Sequence, residues 1–285
     1  MTGRVPLPEH LVVTAREYAD GTRTPVEPRD AATVVLLRPG DDEPEVYLLR
    51  RQTSMAFAGG MFVFPGGGVD RRDFDTSVGW AGPPPADWAS ALGVDETMAR
   101  ALVCAAVRET FEESGVLLAG PTPSEVVADT TGDDWEADRV ALEARELSMT
   151  AFLERRGLVL RSDLLGVWAG WLTPAFEPRR YRTWFFVAEL PTGQRTRDVS
   201  SESDLVTWLP VTDAVARADA GEVMMLPPTY LTCLEVAQHA TPAAVLNAAG
   251  DRGVEMFTPE VEEFDGVPML TSPHWVQHLL EGRDR

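Results

Sequence analysis

The chain has 285 residues and a formal net charge of −20, with 45 acidic residues against 25 basic residues, all of them arginine. This acidic surplus disfavours binding to nucleic acid or docking on an anionic membrane, because both partners are polyanions. The absence of lysine excludes Schiff-base chemistry and the P-loop lysine, and with them ATP-dependent phosphoryl transfer of the Walker kind.

The N-terminal half begins with the pattern of a β-hairpin. Residues 32–37 are apolar and β-branched, and the apolar pattern resumes at 46–49 after an acidic turn. A third short strand is predicted at 61–64, and it runs into the glycine turn 65–68. The stretch from about 69 to 94 is rich in Pro, Gly, Asp and Trp, and it is predicted to be an inserted irregular loop.

The main helix is predicted to begin after Asp95 as N-cap and to run to about Ser114, with Gly115 at its C-terminal cap. A second helical stretch is predicted over 139–156. The remaining elements are strands at 165–172, 182–190 and 204–209, followed by helices at 212–220, 227–239 and 242–250.

These elements predict one α/β domain over residues 30–222, with an N-terminal segment 1–29 and a mostly helical extension 223–285. The extension is expected either to form a homodimer contact or to cover the site, and the sequence leaves both open. No apolar run approaches the ~18 residues of a membrane span, and the N-terminus lacks a signal-peptide pattern. We therefore expect a soluble, cytoplasmic protein.

Three glutamates are grouped near the end of the main helix. Glu109, Glu112 and Glu113 share one helix face, because residues three and four apart are neighbours there, and Arg108 is the adjacent cation. Like charges this close repel one another, and a hard divalent cation such as Mg²⁺ would convert the repulsion into coordination. By itself, such a triplet is more often a solvated acidic face than a metal site.

The residues around the triplet resemble the signature of the Nudix hydrolases, G-x5-E-x7-R-E-U-x-E-E-x-G-U, where U is a bulky aliphatic residue. The matching positions are Arg108, Glu109, Glu112, Glu113, Gly115 and Val116. The position eight before Arg108, where the signature has a glutamate, holds Arg100, and Thr110 replaces an aliphatic residue. Gly68 and Arg108 lie 40 positions apart, about 26 more than in the signature.

This long insertion resembles the branch of the family typified by peroxisomal coenzyme A diphosphatases. In that branch V-F-P-G-G is followed by D-x-x-D, a Trp-containing insertion and A-x-R-E-T-F-E-E-x-G-V-L-L. The chain supplies, in this order, 63–67, Asp70, Asp73, Trp80 and 106–118. The chain matches the motif of the coenzyme A subgroup only in part. Gln52 and Ala56 stand at positions where that motif has arginines.

The resemblance implies a Nudix-type α/β/α sandwich with a mixed β-sheet, acting on a nucleoside diphosphate-linked small molecule. It implies hydrolysis of the pyrophosphate bond, with coenzyme A or acyl-CoA as first substrate, giving 3′,5′-ADP and a phosphopantetheine. The alternatives are an NADH- or ADP-ribose-type pyrophosphatase and a non-catalytic nucleotide-binding module. The implied cofactor is Mg²⁺ or Mn²⁺, with Glu109, Glu112 and Glu113 as ligands and the backbone of Gly66 and Gly67 against metal or phosphate.

The remaining roles follow from the same resemblance. Arg108 is expected to hold the geometry of the glutamates. The general base is expected to be Glu109 or a distant glutamate, with Glu202 as first candidate and Glu189 as second. Four arginines near strand ends are expected either to clamp substrate phosphates or to balance surface charge: Arg50, Arg51, Arg180 and Arg182.

Overall fold

The computed structural model describes residues 5–7, 9–55, 58–250 and 252–281. Within these residues the helices are α1 Glu9–Ala19, α2 Pro85–Leu92, α3 Glu96–Ser114, α4 Asp133–Glu143, α5 Met149–Arg156, α6 Val211–Asp219, α7 Pro227–Val236, α8 Pro242–Gly250 and α9 Gln277–Leu280. The strands are β1 Val5–Pro6, β2 Arg29–Pro39, β3 Pro44–Arg51, β4 Phe62–Val63, β5 Gly66–Gly68, β6 Trp80–Ala81, β7 Ala119–Gly120, β8 Val159–Arg161, β9 Leu165–Leu172, β10 Tyr181–Glu189, β11 Ser203–Pro210, β12 Met256–Phe257, β13 Val261–Phe264 and β14 Val267–Leu270. Short 3-10 helices lie at Arg71–Phe74, Ser162–Leu164 and His274–Val276.

The largest sheet in the described chain is mixed, with strand order β11-β3-β2-β10-β9-β12. β2 and β3 form the predicted hairpin, in which Leu37 lies opposite Val46. β10 runs parallel to β2 and antiparallel to β9. The glycine strand β5 pairs antiparallel with β2, so that Gly66 lies opposite Thr33. The strand predictions are confirmed, and the pairing places the glycine turn at the sheet.

Alternate residues of β2 enter cores on opposite faces of this sheet. Ala32, Val34 and Leu36 belong to a cluster with α2, α3 and α5. Val35 and Leu37 belong to a second cluster with α6, α7 and α8. Because successive strand side chains point to opposite faces, helices cover both sides of the sheet. The expected α/β/α sandwich with a mixed sheet is therefore confirmed.

Helix α3 begins and ends where the sequence indicates. The Asp95 carboxylate accepts a hydrogen bond from the Met98 backbone N–H at 2.8 Å, which caps the N-terminus. Gly115 has φ of +75°, the left-handed conformation that favours glycine after a helix. Both predicted caps are confirmed, and together they fix the length of the helix that carries the glutamates.

The inserted stretch predicted as an irregular loop is ordered, so that prediction was wrong. It contains the 3-10 helix Arg71–Phe74, β6 and helix α2. Pro85 stands in the first turn of α2, and Gly93 ends the helix at φ of +68°. These are ordinary helix start and stop signals, and they outweigh the loop-like composition of the stretch.

The single helical stretch predicted over 139–156 is two helices, α4 and α5. Between them Arg145 has φ of +61°, a left-handed conformation that a continuous right-handed helix cannot contain. Ser148 then begins α5, because its hydroxyl accepts a hydrogen bond from the Ala151 N–H at 3.1 Å. The prediction of one continuous helix is therefore wrong, because Ser148 starts a second helix.

The C-terminal elements extend the sandwich. α7 and α8 pack on the same sheet face as α6, β12 pairs with β9, and β13 and β14 form a separate sheet with β1. The domain boundary at residue 222 stays a prediction. Among the described helices, none combines the length and apolar composition that crossing a membrane requires.

Candidate active site

The three glutamates lie together at the end of α3, against the glycine strand β5. The Gly66 N–H donates to Glu113 Oε2 at 2.7 Å. A Cβ placed on Gly67 would lie 2.5 Å from Glu109 Oε1. Glu112 and Glu113 are buried, and the Glu109 side chain is only 12% exposed. The glycines therefore let the backbone approach the carboxylates as closely as the sequence indicates.

Arg108 joins this cluster to Asp73, which the 3-10 helix Arg71–Phe74 carries. Its Nε and Nη2 donate to the two carboxylate oxygens of Asp73, each at 3.0 Å. Its Nη1 donates to Glu109 at 2.7 Å and to Glu112 at 3.2 Å, and Nη2 also donates to the Gly68 carbonyl at 3.0 Å. Because every guanidinium nitrogen is engaged, the orientation of Arg108 is fixed.

Sequence analysis missed the role of Asp73. Counting back from Arg108 reaches Arg100, whose guanidinium lies 4.9 Å from the centroid of the Trp80 ring. Counting forward from Gly67 with the spacing G-x5-E reaches Asp73 instead. The structure therefore supplies a carboxylate for the position that the sequence comparison left without one, and the insertion falls after Asp73. The spacing from Gly67 is therefore the sequence signal that identifies Asp73.

Buried carboxylates outnumber the cations around them. Asp73, Glu109 and Glu112 pair with Arg108, and Glu113 lies beside Glu109 and is influenced by the more distant charge of Arg51. Burial raises the pKa of Glu112 to about 7, and it also raises the pKa of Glu109 and Glu113. Either protons or a cation must balance this excess. An all-oxygen donor set with excess negative charge fits Mg²⁺ or Mn²⁺.

The side chains are not arranged as ligands around one point. Within the described residues, no three Asp, Glu, His or Cys side chains form a group that could hold a metal ion as they stand. The Arg108 Nη1 atom lies against both Glu109 and Glu112. For the three glutamates to bind one metal ion, the side chains of Glu109 and Glu112 must therefore turn away from the Arg108 guanidinium. Asp73 can remain bound to Nε and Nη2 of Arg108.

Glu202, the first candidate for a distant general base, lines the same cavity as the glutamates. Arg51 Nη2 donates to Glu202 Oε2 at 2.8 Å, and the Glu202 side chain remains 53% exposed. The charge of Glu202 also raises the pKa of Glu109 and Glu113, but it does so less than their burial. Glu189, the second candidate, ends β10 and is not among the residues that line the cavity.

Helix α4 connects the loop that carries Glu202 to α3. Buried Arg139 donates to the Glu112 carbonyl at 2.7 Å and pairs with Glu143 at 3.1 Å. Glu143 in turn accepts hydrogen bonds from the Ser201 N–H and hydroxyl, at 2.9 and 2.6 Å. This chain of contacts sets the position of Glu202 relative to the glutamates, and no local sequence motif indicates it.

Of the four arginines predicted to bind substrate, Arg51 lines the cavity and its neighbour Arg50 does not. Arg50 donates to Asp204 at 2.7 Å and is 41% exposed. Successive side chains of a strand point to opposite faces, so adjacent arginines on β3 cannot both face the site. The alternation of the strand therefore separates two residues that the sequence analysis treated as a pair.

Arg180 and Arg182 also lie outside the cavity lining. Arg180 donates to the backbone carbonyls of Thr173 and Val26, both at 3.0 Å. Arg182 lies 3.6 Å from the Asp30 carboxylate. Arg182 thus has acidic neighbours, as charge balance would require, whereas Arg180 is held by backbone carbonyls. A phosphate-binding role for either stays a prediction.

The cavity has a volume of about 1200 Å³. The glutamates and β5 form one part of its wall, and apolar side chains including Trp171, Phe185, Leu226 and Leu270 form another. Three arginines that were not predicted also line it: Arg29, Arg71 and Arg145. They are brought together by the fold, and no sequence motif marks them.

The two glycines of β5 predict different outcomes for the same substitution. Gly67→Ala directs its Cβ at the flexible Glu109 carboxylate, so we expect turnover to fall about 10–100-fold with little change in thermal stability. Gly66→Ala directs its Cβ at the backbone of Ala32 and Thr33, so we expect a stability loss of about 1–3 kcal/mol. Thermal unfolding and initial rates measure both. Equal stability losses in the two variants would contradict the arrangement.

The buried glutamates also predict how stability depends on pH. A carboxyl whose folded-state pKa is raised contributes stability that is complete below its unfolded pKa and is lost as the pH rises through the folded pKa. For Glu112 that window runs from its ordinary value of 4.5 to about 7. Without metal, the protein should therefore unfold at a lower temperature at pH 8 than at pH 5.5, and Glu112→Gln should flatten this difference. Equal pH dependence in both proteins would contradict it.

Comparison with known families gives one match that covers more than half of the chain. Residues 83–235 match the family described as the NUDT19 Nudix domain. The matched range contains α3 with its glutamates as well as Glu202, and it begins after the glycine strand and Asp73.

Two curated proteins and one solved structure are similar to the chain. The Caenorhabditis elegans protein named putative nudix hydrolase 7 is 27% identical over 215 residues, which are 74% of this chain and 61% of that protein. The acyl-coenzyme A diphosphatase NUDT19 of Gallus gallus is 26% identical over 277 residues, covering 80% of this chain and 72% of that protein. The chain thus spans less than two thirds of the nematode protein. The structure of a NUDIX hydrolase from Alicyclobacillus acidocaldarius shares the fold, with a TM-score of 0.67, 24% identity and coverage of 81% and 99%.

Proposed function

The chain belongs to the Nudix hydrolase family, in its coenzyme A diphosphatase branch, and from this premise we propose that it hydrolyses the pyrophosphate bond of coenzyme A or acyl-CoA. The products are 3′,5′-ADP and phosphopantetheine or its acyl ester. The observation that carries the proposal is the cluster of buried carboxylates on α3, which one guanidinium cannot neutralise.

Glu109, Glu112 and Glu113 are the residues that hold Mg²⁺ or Mn²⁺ in this proposal. A divalent ion bound there supplies charge neutralisation and Lewis acidity for the diphosphate. Asp73 and Arg108 act as positioning residues, because their paired hydrogen bonds fix the guanidinium beside two of the glutamates. The lack of side chains at Gly66 and Gly67 lets the backbone of β5 lie directly against the carboxylates.

In the hydrolytic step, water attacks one phosphorus, and its oxygen forms a new bond to that phosphorus. The bond from the phosphorus to the bridging oxygen breaks, and the bridging oxygen leaves with the second phosphate. Glu202 accepts the proton of the water. Its carboxylate lines the cavity and stays exposed beside Arg51, whereas Glu109, the alternative base, is assigned to the metal in this proposal.

The shape of the cavity supports a long substrate with an apolar arm. Its volume of about 1200 Å³ exceeds the roughly 300–1000 Å³ of common small-molecule sites. Trp171, Phe185 and Leu226 contribute apolar surface to its wall. A pantetheine or acyl chain buries such surface favourably, while ADP-ribose offers only hydroxyl-rich ribose there.

A substrate panel tests the proposal. Purified protein is incubated with coenzyme A, an acyl-CoA, NADH or ADP-ribose in Mg²⁺ or Mn²⁺, and products are separated by anion-exchange chromatography. We expect 3′,5′-ADP from the coenzyme A substrates. Preferential release of AMP from NADH or ADP-ribose would contradict the substrate assignment. Nucleotide binding without turnover of any diphosphate would contradict the enzymatic assignment.

A further inference from the structure

Most arginines of the described residues form ion pairs with carboxylates, and three of the arginines without such a pair line the cavity. Of the arginines that line it, Arg51 and Arg108 are held by acidic side chains. Arg29, Arg71 and Arg145 are exposed, and no carboxylate of the described residues lies within the 4.0 Å of an ion pair. We call these three residues the arginine rim. Arg100, Arg179, Arg180 and Arg195 also form no ion pair with a described residue, but they do not line the cavity.

The fold brings the arginine rim together from three segments. Arg29 begins β2 and is followed by Asp30. The backbone N–H of Val69, the residue after β5, donates to the Asp30 carbonyl at 2.9 Å. Arg71 follows two positions later, at the start of the 3-10 helix. The next residue, Arg72, donates from Nη1 to the Arg145 carbonyl at 2.7 Å. The three backbones therefore adjoin one another at one side of the cavity.

The acidic side chains closest in sequence to Arg71 are committed to other partners. Asp70 accepts hydrogen bonds from Arg72 Nε and Nη2, at 2.9 and 3.2 Å. Asp73 accepts from Arg108, as described above. Since none of the three rim guanidinium groups forms an ion pair with a described residue, they are available to an anion from outside the chain.

The conformation of Arg145 adds a second observation. The residue follows the C-terminal cap of α4 with φ of +61°, where a side chain is unfavourable and glycine is the common choice. Its backbone conformation therefore does not explain an arginine. Arg145 lines the cavity, and a binding role of its guanidinium there would explain an arginine at this position.

We propose that the arginine rim binds a phosphate monoester of the substrate that is separate from the diphosphate cleaved at Glu109, Glu112 and Glu113. The inference rests on the proposed function and narrows its substrate class to nucleotides with an extra phosphate on the ribose. Arg71 lies four residues beyond Gly67, a span of at most about 14 Å. Long arginine side chains cover much of that distance, and a guanidinium matches phosphate oxygens in pairs.

Coenzyme A and dephospho-coenzyme A differ only in this ribose phosphate, so their kinetics test the rim. We compare wild type, Arg71→Ala and Arg145→Gly with Arg195→Ala, a control that removes an exposed arginine outside the cavity. Wild type should show a KM for coenzyme A at least about tenfold lower than for the dephospho form. Both rim variants should bring this ratio toward one, mainly through KM, whereas the control keeps it. Arg145→Gly should also be no less stable than wild type, since glycine suits its φ.

The outcomes separate the rim from the catalytic assignment. Equal KM values for the two substrates in wild type would overturn the rim proposal and leave the proposed function standing. Rim variants that keep the wild-type ratio would also overturn it. If wild type cleaves neither substrate, the proposed function fails, and calorimetric binding of 3′,5′-ADP against AMP decides the rim: tighter binding of 3′,5′-ADP that the rim variants lose supports it, and equal binding overturns it.

Discussion

Glu112→Gln is expected to lower metal-dependent turnover by about 10³-fold or more while the protein remains folded. Glu112 is 7% exposed, and burial raises its pKa to about 7, so a neutral amide of the same shape suits the folded state. The substitution removes the negative charge that pairs with Arg108 and would hold the cation. Product release in Mn²⁺ and thermal unfolding measure the two effects separately.

The matched control is Glu96→Gln. Glu96 lies in the first turn of the same helix, is exposed and does not line the cavity. The control makes the same chemical change, and we expect turnover within about twofold of wild type, because exposed substitutions away from a site have small effects. Comparable losses in the two variants would contradict the assignment of Glu112 as a metal ligand.

Asp73→Asn is expected to reduce both stability and turnover. Asp73 is 1% exposed, and its two carboxylate oxygens accept hydrogen bonds from Nε and Nη2 of Arg108, whereas an amide can accept only one of them. Breaking a buried ion pair costs about 3–5 kcal/mol. The loosened guanidinium should also lower turnover by about 10–100-fold, the usual effect of losing a group that orients a ligand.

Two further variants separate positioning from general destabilisation. Asp75→Asn changes an exposed carboxylate just beyond the same 3-10 helix and should leave both quantities close to wild type. Asp73→Glu retains the carboxylate and should recover part of the turnover. If Asp73→Asn unfolds more easily but keeps wild-type turnover at temperatures where it is folded, Asp73 has no positioning role.

Local signals were sufficient to predict the helix that carries the site. Asp95 and Gly115 act within one turn of the residues they cap, so α3 could be bounded from the sequence. The grouping of the glutamates also follows from helix periodicity alone. The prediction of their chemistry depended on the neighbouring glycine turn and on family resemblance, because an acidic helix face has no unique function.

The features that were missed depend on contacts distant in sequence. Asp73 and Arg108 are 35 positions apart, and only the folded chain shows that the insertion returns one to the other. The position of Glu202 likewise depends on Glu143 and Ser201 in two other segments. No periodicity or spacing encodes such contacts, since tertiary packing creates them.

The substrate arginines illustrate the same limit. Arg50 and Arg51 are adjacent in sequence, yet only Arg51 lines the cavity, because successive side chains of β3 point to opposite faces. The rim arginines are unremarkable in the sequence, because each stands in a different element. Their position at the cavity depends on the pairing of β2 with β5 and on the contact of Arg72 with the Arg145 carbonyl after α4, which the sequence does not show.

The central claim is that the α3 carboxylates hold the divalent ion required for diphosphate hydrolysis. The most direct measurement returns Mn²⁺ to chelator-treated protein while bound Mn²⁺, by electron paramagnetic resonance, and 3′,5′-ADP release from coenzyme A are followed in the same samples. We predict no release without metal, release that rises with occupancy in wild type, and weakened binding with loss of turnover in Glu112→Gln. Hydrolysis in excess EDTA, or wild-type binding and turnover by the variant, would contradict the claim.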